Sequence, residues 1–324
     1  MVKPKVLWLS HFNGEIAASA RAGLDEMGEL VQIGSQPLAA LVPGAVAAIT
    51  MNPLAEVGRS GLGELRGLKF LQTISAGVDH LPYSELPADL VIASNPGAYG
   101  EPMADHAMAM ILALAKRLRQ VHNELARGQF NQMTETKDLA GKVLAILGFG
   151  GIGQAIARRS RAFGMKIYAI NTSGNTDQQV EFVGTLKDLE TVLRQADVAV
   201  LSLPLTKETR NLLGERELNW LKPSAILVNV ARGAIIDQDA LYAHLVANPD
   251  FQAGIDAWWV EPFGSGKFEL RHPFLELENV LGSPHNSGMV PGALARSAYL
   301  AGQNVARFLR GEPILGRVNP ELYR

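Results

Sequence analysis

The fold is decided by residues 142–159, which read KVLAILGFGGIGQAIARR. The first six residues form a short apolar run, which is typical of a buried strand in a parallel sheet. The next six match the G-x-G-x-x-G pattern, and the remainder opens a helix. In such a turn, backbone approaches a pyrophosphate and faces it with the amides at the helix start. The stretch therefore predicts a dinucleotide-binding turn formed by Gly148, Gly150, Gly151, Ile152 and Gly153.

Short apolar runs alternate with helical patterns on both sides of this turn, as expected for βαβ units and parallel sheets. Before the turn, strands are predicted at residues 6–9, 30–33, 46–50, 70–74 and 90–93. A strand at residues 143–147 leads into the turn, and further strands are predicted after it at residues 166–170, 198–203, 225–230 and 254–257. Helices are expected over residues 15–27 and 292–309, and the apolar stripe of residues 104–127 predicts one long helix. The pattern indicates two α/β domains of unequal size.

Composition excludes several classes of protein. The 324 residues correspond to about two domains. Hydrophobic residues make up 47% and charged residues 19%, which excludes a disordered chain. The formal charge of −2 argues against binding to nucleic acid or to anionic membranes. We therefore expect a cytoplasmic globular protein with no nucleic-acid or membrane partner.

Cysteine and histidine usage narrows the possible chemistry. The sequence contains no cysteine, so thiol nucleophiles and thiolate metal sites are excluded. The histidines show no metal-ligand spacing, and no metal site is expected. His106, which follows Asp105 near the start of the predicted long helix, is interpreted as a packing and capping residue.

The position that distinguishes the two nicotinamide dinucleotides lies about 20 residues beyond the turn, where an acidic residue normally binds the ribose 2′-hydroxyl. Here the strand ends in Asn171, Thr172 and Ser173. Asparagine can hydrogen-bond a hydroxyl group but has no charge to repel a 2′-phosphate. No arginine follows at once to bind that phosphate. The choice between NAD and NADP stays open.

Three later segments carry side chains that hydride transfer to a keto acid requires. Arg232 follows a buried strand, and its planar fork suits a carboxylate with an adjacent carbonyl oxygen. Glu261 precedes a proline just after the next predicted strand, and His285 lies in a proline-flanked turn. A histidine can protonate the carbonyl oxygen as hydride arrives, and a neighbouring carboxylate stabilises the imidazolium. These three residues are the candidate catalytic group.

With these motifs the chain resembles the D-2-hydroxyacid dehydrogenases, which include glyoxylate, hydroxypyruvate and phosphoglycerate dehydrogenases. Besides the glycine turn, the resemblance rests on Ser75–Asp79, Ala104–His106, Leu203–Thr209, Val228–Gly233, Asp256–Pro262 and Pro284-His285. It implies two Rossmann-like doubly wound parallel-sheet domains. A flavodoxin-like substrate domain (1–100 and 288–324) would be interrupted by an inserted NAD(P)-binding domain (101–287).

The resemblance also implies a role for each motif. Arg232 would bind the substrate's carboxylate and carbonyl, His285 would be the general acid–base, and Glu261 its partner. Substrate would also meet Ala76, Gly77 and Val78. The cofactor would be NAD or NADP, bound outside the turn by Asn171, Thr172, Ser173, Leu203, Pro204, Thr209, Val230, Ala231, Arg232, Asp256, His285 and Gly288. Small 2-keto or 2-hydroxy acids of the glyoxylate and hydroxypyruvate type, and a homodimer, are the implied substrate and assembly.

Several residues of this chain differ from, or agree with, the patterns of particular members of the family. Asn171 replaces the usual aspartate, which weakens the expectation of a strict NAD preference. Tyr99 stands where members often carry asparagine. Glu261 argues against formate dehydrogenase, whose histidine pairs with glutamine, and Ala76 disfavours phosphite dehydrogenase, which has lysine there. The alternative function is an NAD(H)-sensing, corepressor-like binding protein without significant turnover.

Overall fold

The computed structural model describes residues 3–34 and 37–324. The chain divides into two compact units. The first unit contains the residues up to Tyr99 together with Met289–Arg324. The second unit is Gly100–Gly288.

The first unit is built on a sheet of five parallel strands. The strands are β1 (Lys5–Trp8), β2 (Glu29–Gln32), β3 (Ala45–Thr50), β4 (Phe70–Thr73) and β5 (Val91–Ala93). Its helices are α1 (Glu15–Gly23), α2 (Leu38–Leu41), α3 (Pro53–Glu64) and, from the end of the chain, α11 (Ala293–Arg310). The order β2-β1-β3-β4-β5 is that of flavodoxin-like folds.

The C-terminal helix α11 belongs to the core of the first unit. Its buried residues Ala298 and Ala301 join the same apolar cluster as Ala17 and Ala20 of α1. These small side chains let the two helix backbones approach closely, which increases the dispersion contacts between them. The residues that end the chain therefore complete a domain that its first residues begin.

The second unit contains a sheet of seven parallel strands in the order β12-β11-β10-β9-β6-β7-β8. Numbered from the first strand of this unit, the order is the 3-2-1-4-5-6 arrangement of dinucleotide-binding folds with one added edge strand. The strands are β6 (Val143–Leu147), β7 (Lys166–Ile170), β8 (Phe182–Gly184), β9 (Val198–Leu201), β10 (Ile226–Asn229), β11 (Gln252–Ile255) and β12 (Val280–Gly282). The predicted fold class of two Rossmann-like parallel-sheet domains is confirmed.

Seven helices accompany this sheet in the part of the chain that the structure describes. They are α4 (Gly100–Ala115), α5 (Leu118–Ala126), α6 (Gly151–Arg161), α7 (Leu189–Gln195), α8 (Glu215–Leu218), α9 (Gln238–Ala247) and α10 (Pro262–Ser265). Apolar side chains of α4 and α6 pack with strand residues in one buried cluster. Among the helices of the described residues, none combines the length and hydropathy that a membrane span requires.

The prediction of one helix over residues 104–127 is wrong. The helix begins earlier, at Gly100, and is interrupted between α4 and α5 at Arg117, whose φ is 48°. The Arg117 guanidinium donates to Asp250 over 3.0 Å. Apolar spacing continues across the break, so the hydrophobic pattern does not reveal it.

Candidate active site

The glycine turn joins β6 to α6 in the second unit. Gly148 has a φ of 99°, and a Cβ placed there would lie 2.5 Å from the backbone nitrogen of Leu203. A Cβ on Gly153 would overlap the carbonyl oxygen of Gly148. The turn thus needs glycine at both positions, the first for its conformation and the second for close packing of helix on turn.

Gly150 lies between Gly148 and Gly153 in the sequence, but its surroundings are open rather than crowded. Apart from its two chain neighbours, no described residue has an atom within 4 Å of the position that a Cβ on Gly150 would occupy, so the backbone borders open space there. Gly150 is the N-cap of α6, and within the described residues no side chain caps this helix and no acidic residue lies in its first turn. A diphosphate fits such a helix start, since the amide groups and the helix dipole favour an anion.

The loop after β9 lies beside the glycine turn, because β9 pairs with β6. Ser202 donates to the carbonyl oxygen of Gly148 over 2.8 Å, which ties the two loops together. The hydroxyl of Thr209 donates to Pro204 over 2.7 Å and accepts from the amide of Thr206 over 2.8 Å. Strand order reverses between β6 and β9, and open α/β sheets bind ligands at such a switch point. Ser202 was not singled out in the sequence, although it follows a fully buried strand.

Asn171 follows β7, the other neighbour of β6, and uses its side chain within its own loop. Its Nδ2 donates to the carbonyl oxygen of Asn175 over 2.8 Å. Its Oδ1 accepts from the amides of Ser173 and Gly174 over 3.1 and 2.7 Å. The carboxamide therefore shapes the 171–175 loop, and this loop presents no acidic side chain.

Arg232 lies just beyond β10 on a segment that Asn229 organises. The side chain of Asn229, the last residue of the strand, donates to the carbonyl oxygen of Arg232 over 2.8 Å and accepts from the amide of Ala231 over 3.0 Å. The guanidinium of Arg232 donates to the carbonyl oxygen of Ala231 over 2.8 Å. Val230 and Ala231 are buried. Asn229 therefore positions the Arg232 segment. It is not among the candidate residues named from the sequence, although a polar residue at the end of an apolar strand is a signal that could identify it.

Glu261 and His285 form a hydrogen-bonded pair. Nδ1 of His285 lies 2.7 Å from Oε2 of Glu261, while Oε1 of Glu261 accepts from the amide of Trp258 over 2.6 Å. Because both carboxylate oxygens are engaged, the glutamate is held in one orientation. His285 itself has a φ of 51°.

Topology brings the three candidate catalytic residues to one edge of the sheet. Arg232, Glu261 and His285 follow β10, β11 and β12, which are adjacent parallel strands. The same edge carries the glycine turn and the Asn171 loop. Asp256, directly after β11, is fully buried, and Gly288 ends the unit.

The segment 74–78 lies in the first unit, after β4. Ser75 donates its hydroxyl proton to the carbonyl oxygen of Gly77 over 2.9 Å, and Val78 is buried. The hydroxyl of Tyr99 donates to the carbonyl oxygen of Ile74 over 3.2 Å. Burial raises the pKa of this tyrosine, so the hydroxyl keeps its proton for that bond. Tyr99 therefore braces the start of the loop that contains Ala76 and Gly77.

Comparison with known proteins identifies the family. A family model described as D-isomer specific 2-hydroxyacid dehydrogenase, NAD binding domain, matches residues 108–287. The chain belongs to the D-isomer specific 2-hydroxyacid dehydrogenase family. This dehydrogenase is 33% identical over 266 residues to a glyoxylate reductase from Thermococcus gammatolerans, covering 79% of this chain and 78% of that protein.

Two further proteins support the same family assignment. A hydroxypyruvate reductase from Thermotoga maritima is 34% identical to the dehydrogenase over 223 residues, covering 68% of this chain and 71% of that protein. The crystal structure of a D-isomer specific 2-hydroxyacid dehydrogenase family protein from Aeromonas salmonicida superimposes with a TM-score of 0.80 at 28% identity. It covers 98% of this chain and 99% of that chain. The dehydrogenase is an oxidoreductase whose cofactor is NAD or NADP.

Proposed function

We propose that this dehydrogenase interconverts small 2-keto acids and D-2-hydroxy acids with NAD(P)H, with substrates of the glyoxylate and hydroxypyruvate type favoured. The observation that carries the proposal is the 2.7 Å pair of His285 and Glu261 at the sheet edge that also holds Arg232. The glyoxylate and hydroxypyruvate reductases among the relatives support the substrate class.

Each of the three side chains has a distinct task. The Arg232 guanidinium binds the carboxylate and the adjacent carbonyl oxygen of the acid, which orients C2 and polarises its carbonyl. His285, bonded to Glu261 through Nδ1, offers Nε2 to the substrate oxygen. Glu261 fixes the tautomer and orientation of the ring and stabilises the imidazolium.

The proton and electron balance follows from these positions. When bound, the reduced nicotinamide supplies a hydride to C2. His285 as imidazolium donates a proton from Nε2 to the carbonyl oxygen, the C=O π bond breaks, and a hydroxyl group forms. The neutral histidine regains its proton from solvent before the next turnover. In the oxidative direction the neutral ring accepts the hydroxyl proton.

The remaining contacts are proposed from the family resemblance. Gly150, Gly151 and Ile152 would hold the diphosphate, consistent with the open space at Gly150 and the uncapped start of α6 within the described residues. Further cofactor contacts are proposed for Gly148, Gly153, Asn171, Thr172, Ser173, Leu203, Pro204, Thr209, Val230, Ala231, Arg232, Asp256, His285 and Gly288. Ala76, Gly77 and Val78 are proposed to bind the substrate carboxylate. In addition to its proposed cofactor contact, Asn171 shapes its own loop, because its carboxamide bonds within that loop.

Turnover with a panel of acids tests the proposal. We expect NADH- or NADPH-dependent reduction of glyoxylate and hydroxypyruvate, and weaker reduction of bulkier keto acids. Arg232→Ala should lower kcat/KM by at least about 100-fold, because the substrate loses its main electrostatic partner. Arg194→Ala, which removes an exposed arginine of α7, is the matched control and should retain activity. If no acid turns over while NAD(H) changes the oligomeric state, the corepressor-like alternative is favoured.

We also propose a homodimer in the cytoplasm. Around α5 the large apolar side chains of Leu118, Leu125, Phe130 and Met133 are exposed, and the first three line a surface groove of about 620 Å³. A second copy of the chain would remove this apolar surface from water. Light scattering should give twice the chain mass, and Phe130→Glu should shift the protein towards monomer. A monomeric wild-type protein would contradict the proposed dimer. Cell fractionation would test the proposed cytoplasmic location.

A further inference from the structure

His106 is part of a hydrogen-bonded chain inside the second unit. Its Nε2 lies 2.9 Å from the hydroxyl oxygen of Ser283, and that hydroxyl donates to Oδ1 of Asp256 over 2.5 Å. Nε2 of His106 is also 3.7 Å from the same carboxylate oxygen. The capping role predicted for His106 is wrong, because His106 lies inside α4, which begins at Gly100. The predicted packing role is not contradicted, and the ring also bonds to Ser283, far away in the sequence.

The directions of the hydrogen bonds define the state of the His106 ring. Ser283 has one hydroxyl proton, and it is given to the Asp256 carboxylate. The serine oxygen must therefore accept from His106, so Nε2 of that ring carries a proton. Asp256 is fully buried, whereas 25% of the His106 side chain is exposed. His106 thus supplies the donor at the solvent side of a buried carboxylate.

The buried carboxylate in turn holds the backbone that directly follows His285. Oδ1 of Asp256 accepts from the amide of Asn286 over 3.1 Å, and Oδ2 accepts from the amide of Ser287 over 3.3 Å. The amide of His285 donates to the carbonyl oxygen of Asp256 over 2.9 Å. With a φ of 51°, His285 is in the left-handed region, which is energetically unfavourable for a non-glycine residue. Hydrogen bonds to an ionised acceptor are of the strength needed to offset such a cost.

We propose that His106 is a positioning residue for His285, acting through Ser283 and Asp256. The chain from His106 to Asp256 fixes the carboxylate, the carboxylate fixes the 285–287 backbone, and that backbone sets the imidazole against Glu261. This inference rests on the proposed function, in which His285 transfers the proton. In this role His106 acts only through Ser283 and Asp256 and takes no part in the proton transfer itself.

Replacement of His106 tests the proposal. His106→Phe keeps an aromatic ring but removes the donor, and we expect kcat to fall about tenfold. His106→Gln places an amide donor at similar reach and should recover most of the activity. Hydrogen–deuterium exchange of the segment 283–288 should accelerate in His106→Phe and return towards wild type in His106→Gln.

Ser283→Ala removes the middle of the chain and is the second arm of the experiment, useful also if His106→Phe folds poorly. Its effect on kcat should match that of His106→Phe, and the double variant should be no worse than either single one. Additive losses, or a His106→Phe enzyme with wild-type kcat and wild-type exchange at 283–288, overturn the positioning role. An active His285→Ala enzyme would overturn the proposed function instead, so the two failures are distinguishable.

Discussion

At the scale of single residues, two histidines of the second unit illustrate what makes a candidate catalytic group. His285 lies 2.7 Å from Glu261, and His272 lies 2.7 Å from Asp239. Both histidine side chains are 32% exposed. His272, however, stacks on Tyr242 and pairs with a carboxylate that is 59% exposed. The local pair is the same, and the position at the carboxyl end of a parallel strand distinguishes His285.

The Asn171 loop leads to a prediction about cofactor choice. Because this loop presents no acidic side chain, the wild-type enzyme should bind NADH and NADPH with dissociation constants within about tenfold of each other. Asn171→Asp should weaken NADPH binding by about tenfold or more, since a carboxylate repels the 2′-phosphate. NADH binding should change little.

Fluorescence titration with both dinucleotides measures this change. Asn219→Asp, an exposed position at the end of α8, is the control for the added charge. Equal weakening of NADH and NADPH in Asn171→Asp would contradict the argument, because it would indicate collapse of the loop rather than charge repulsion.

Residue-level prediction from the sequence succeeds where position along a strand decides. Arg232, Glu261 and His285 could be named as a group because each follows a strand-like apolar run within a few residues. Other contacts could not be predicted in this way. They are the hydrogen bonds of Asn171 within its own loop, the bonds of Asn229 to the Arg232 segment, and the chain from His106 to Asp256. Such contacts depend on loop backbone geometry and on partners distant in sequence, which residue spacing does not encode.

At the scale of elements, the turn from β6 to α6 allows two similar substitutions to be compared. Gly153→Ala should destabilise the protein by about 1–3 kcal/mol and weaken dinucleotide binding, because its Cβ overlaps the carbonyl oxygen of Gly148. Gly150→Ala should leave stability nearly unchanged, since its Cβ enters open space, yet still weaken dinucleotide binding.

Urea denaturation and dinucleotide titration of both variants measure the two effects separately. Full dinucleotide affinity in Gly150→Ala would show that the space beside Gly150 is not where the diphosphate binds. Equal destabilisation by the two substitutions would contradict the packing argument at Gly153.

Elements were predicted best where apolar runs are long. The strands Val143–Leu147 and Lys166–Ile170 have the predicted bounds, because all of their residues except Lys166 are buried or half-buried and give a clear signal. The edge strands β8 and β12 contain only three residues each, too few for a periodic pattern. The break at Arg117 was missed because the apolar stripe continues on both sides of it.

At the scale of the whole molecule, the half-buried lysine Lys137 connects distant parts of the second unit. Nζ of Lys137 donates to the carbonyl oxygens of Ser224 and Asp250 and to the side chain of Gln252, over 2.6, 3.0 and 3.0 Å. Burial, together with the nearby Arg117 guanidinium, lowers the pKa of Lys137 to about 8. The residue therefore makes the stability of the protein depend on pH.

The sign of this dependence follows from the two states. An unfolded lysine titrates at a pKa of about 10.4, so between about pH 8 and 10 the unfolded chain binds more protons than the folded one. The contribution of Lys137 to the free energy of unfolding therefore rises with pH in this window. Urea denaturation at several pH values should show a shallower rise in Lys137→Met than in wild type. Parallel curves would contradict the lowered pKa.

The topology of the molecule was predictable to a large extent. Alternating apolar runs and helical patterns predict parallel sheets, because crossover helices cover both faces of such sheets and leave their strands buried. The assignment of the C-terminal helix to the first unit came from the family resemblance rather than from the pattern of residues. The helix is amphipathic, and its sequence does not state which apolar surface it covers.

The central claim is that His285 transfers the proton in a dehydrogenase reaction, and His285→Ala tests it most directly. Stopped-flow reduction of glyoxylate or hydroxypyruvate should slow by about 100- to 10,000-fold, while NAD(P)H binding by fluorescence titration should weaken far less than the rate falls. His272→Ala, which removes the equally exposed histidine of the surface pair, should leave the rate unchanged. A His285→Ala enzyme that reduces these acids at the wild-type rate, or that loses dinucleotide binding together with activity, would contradict the account.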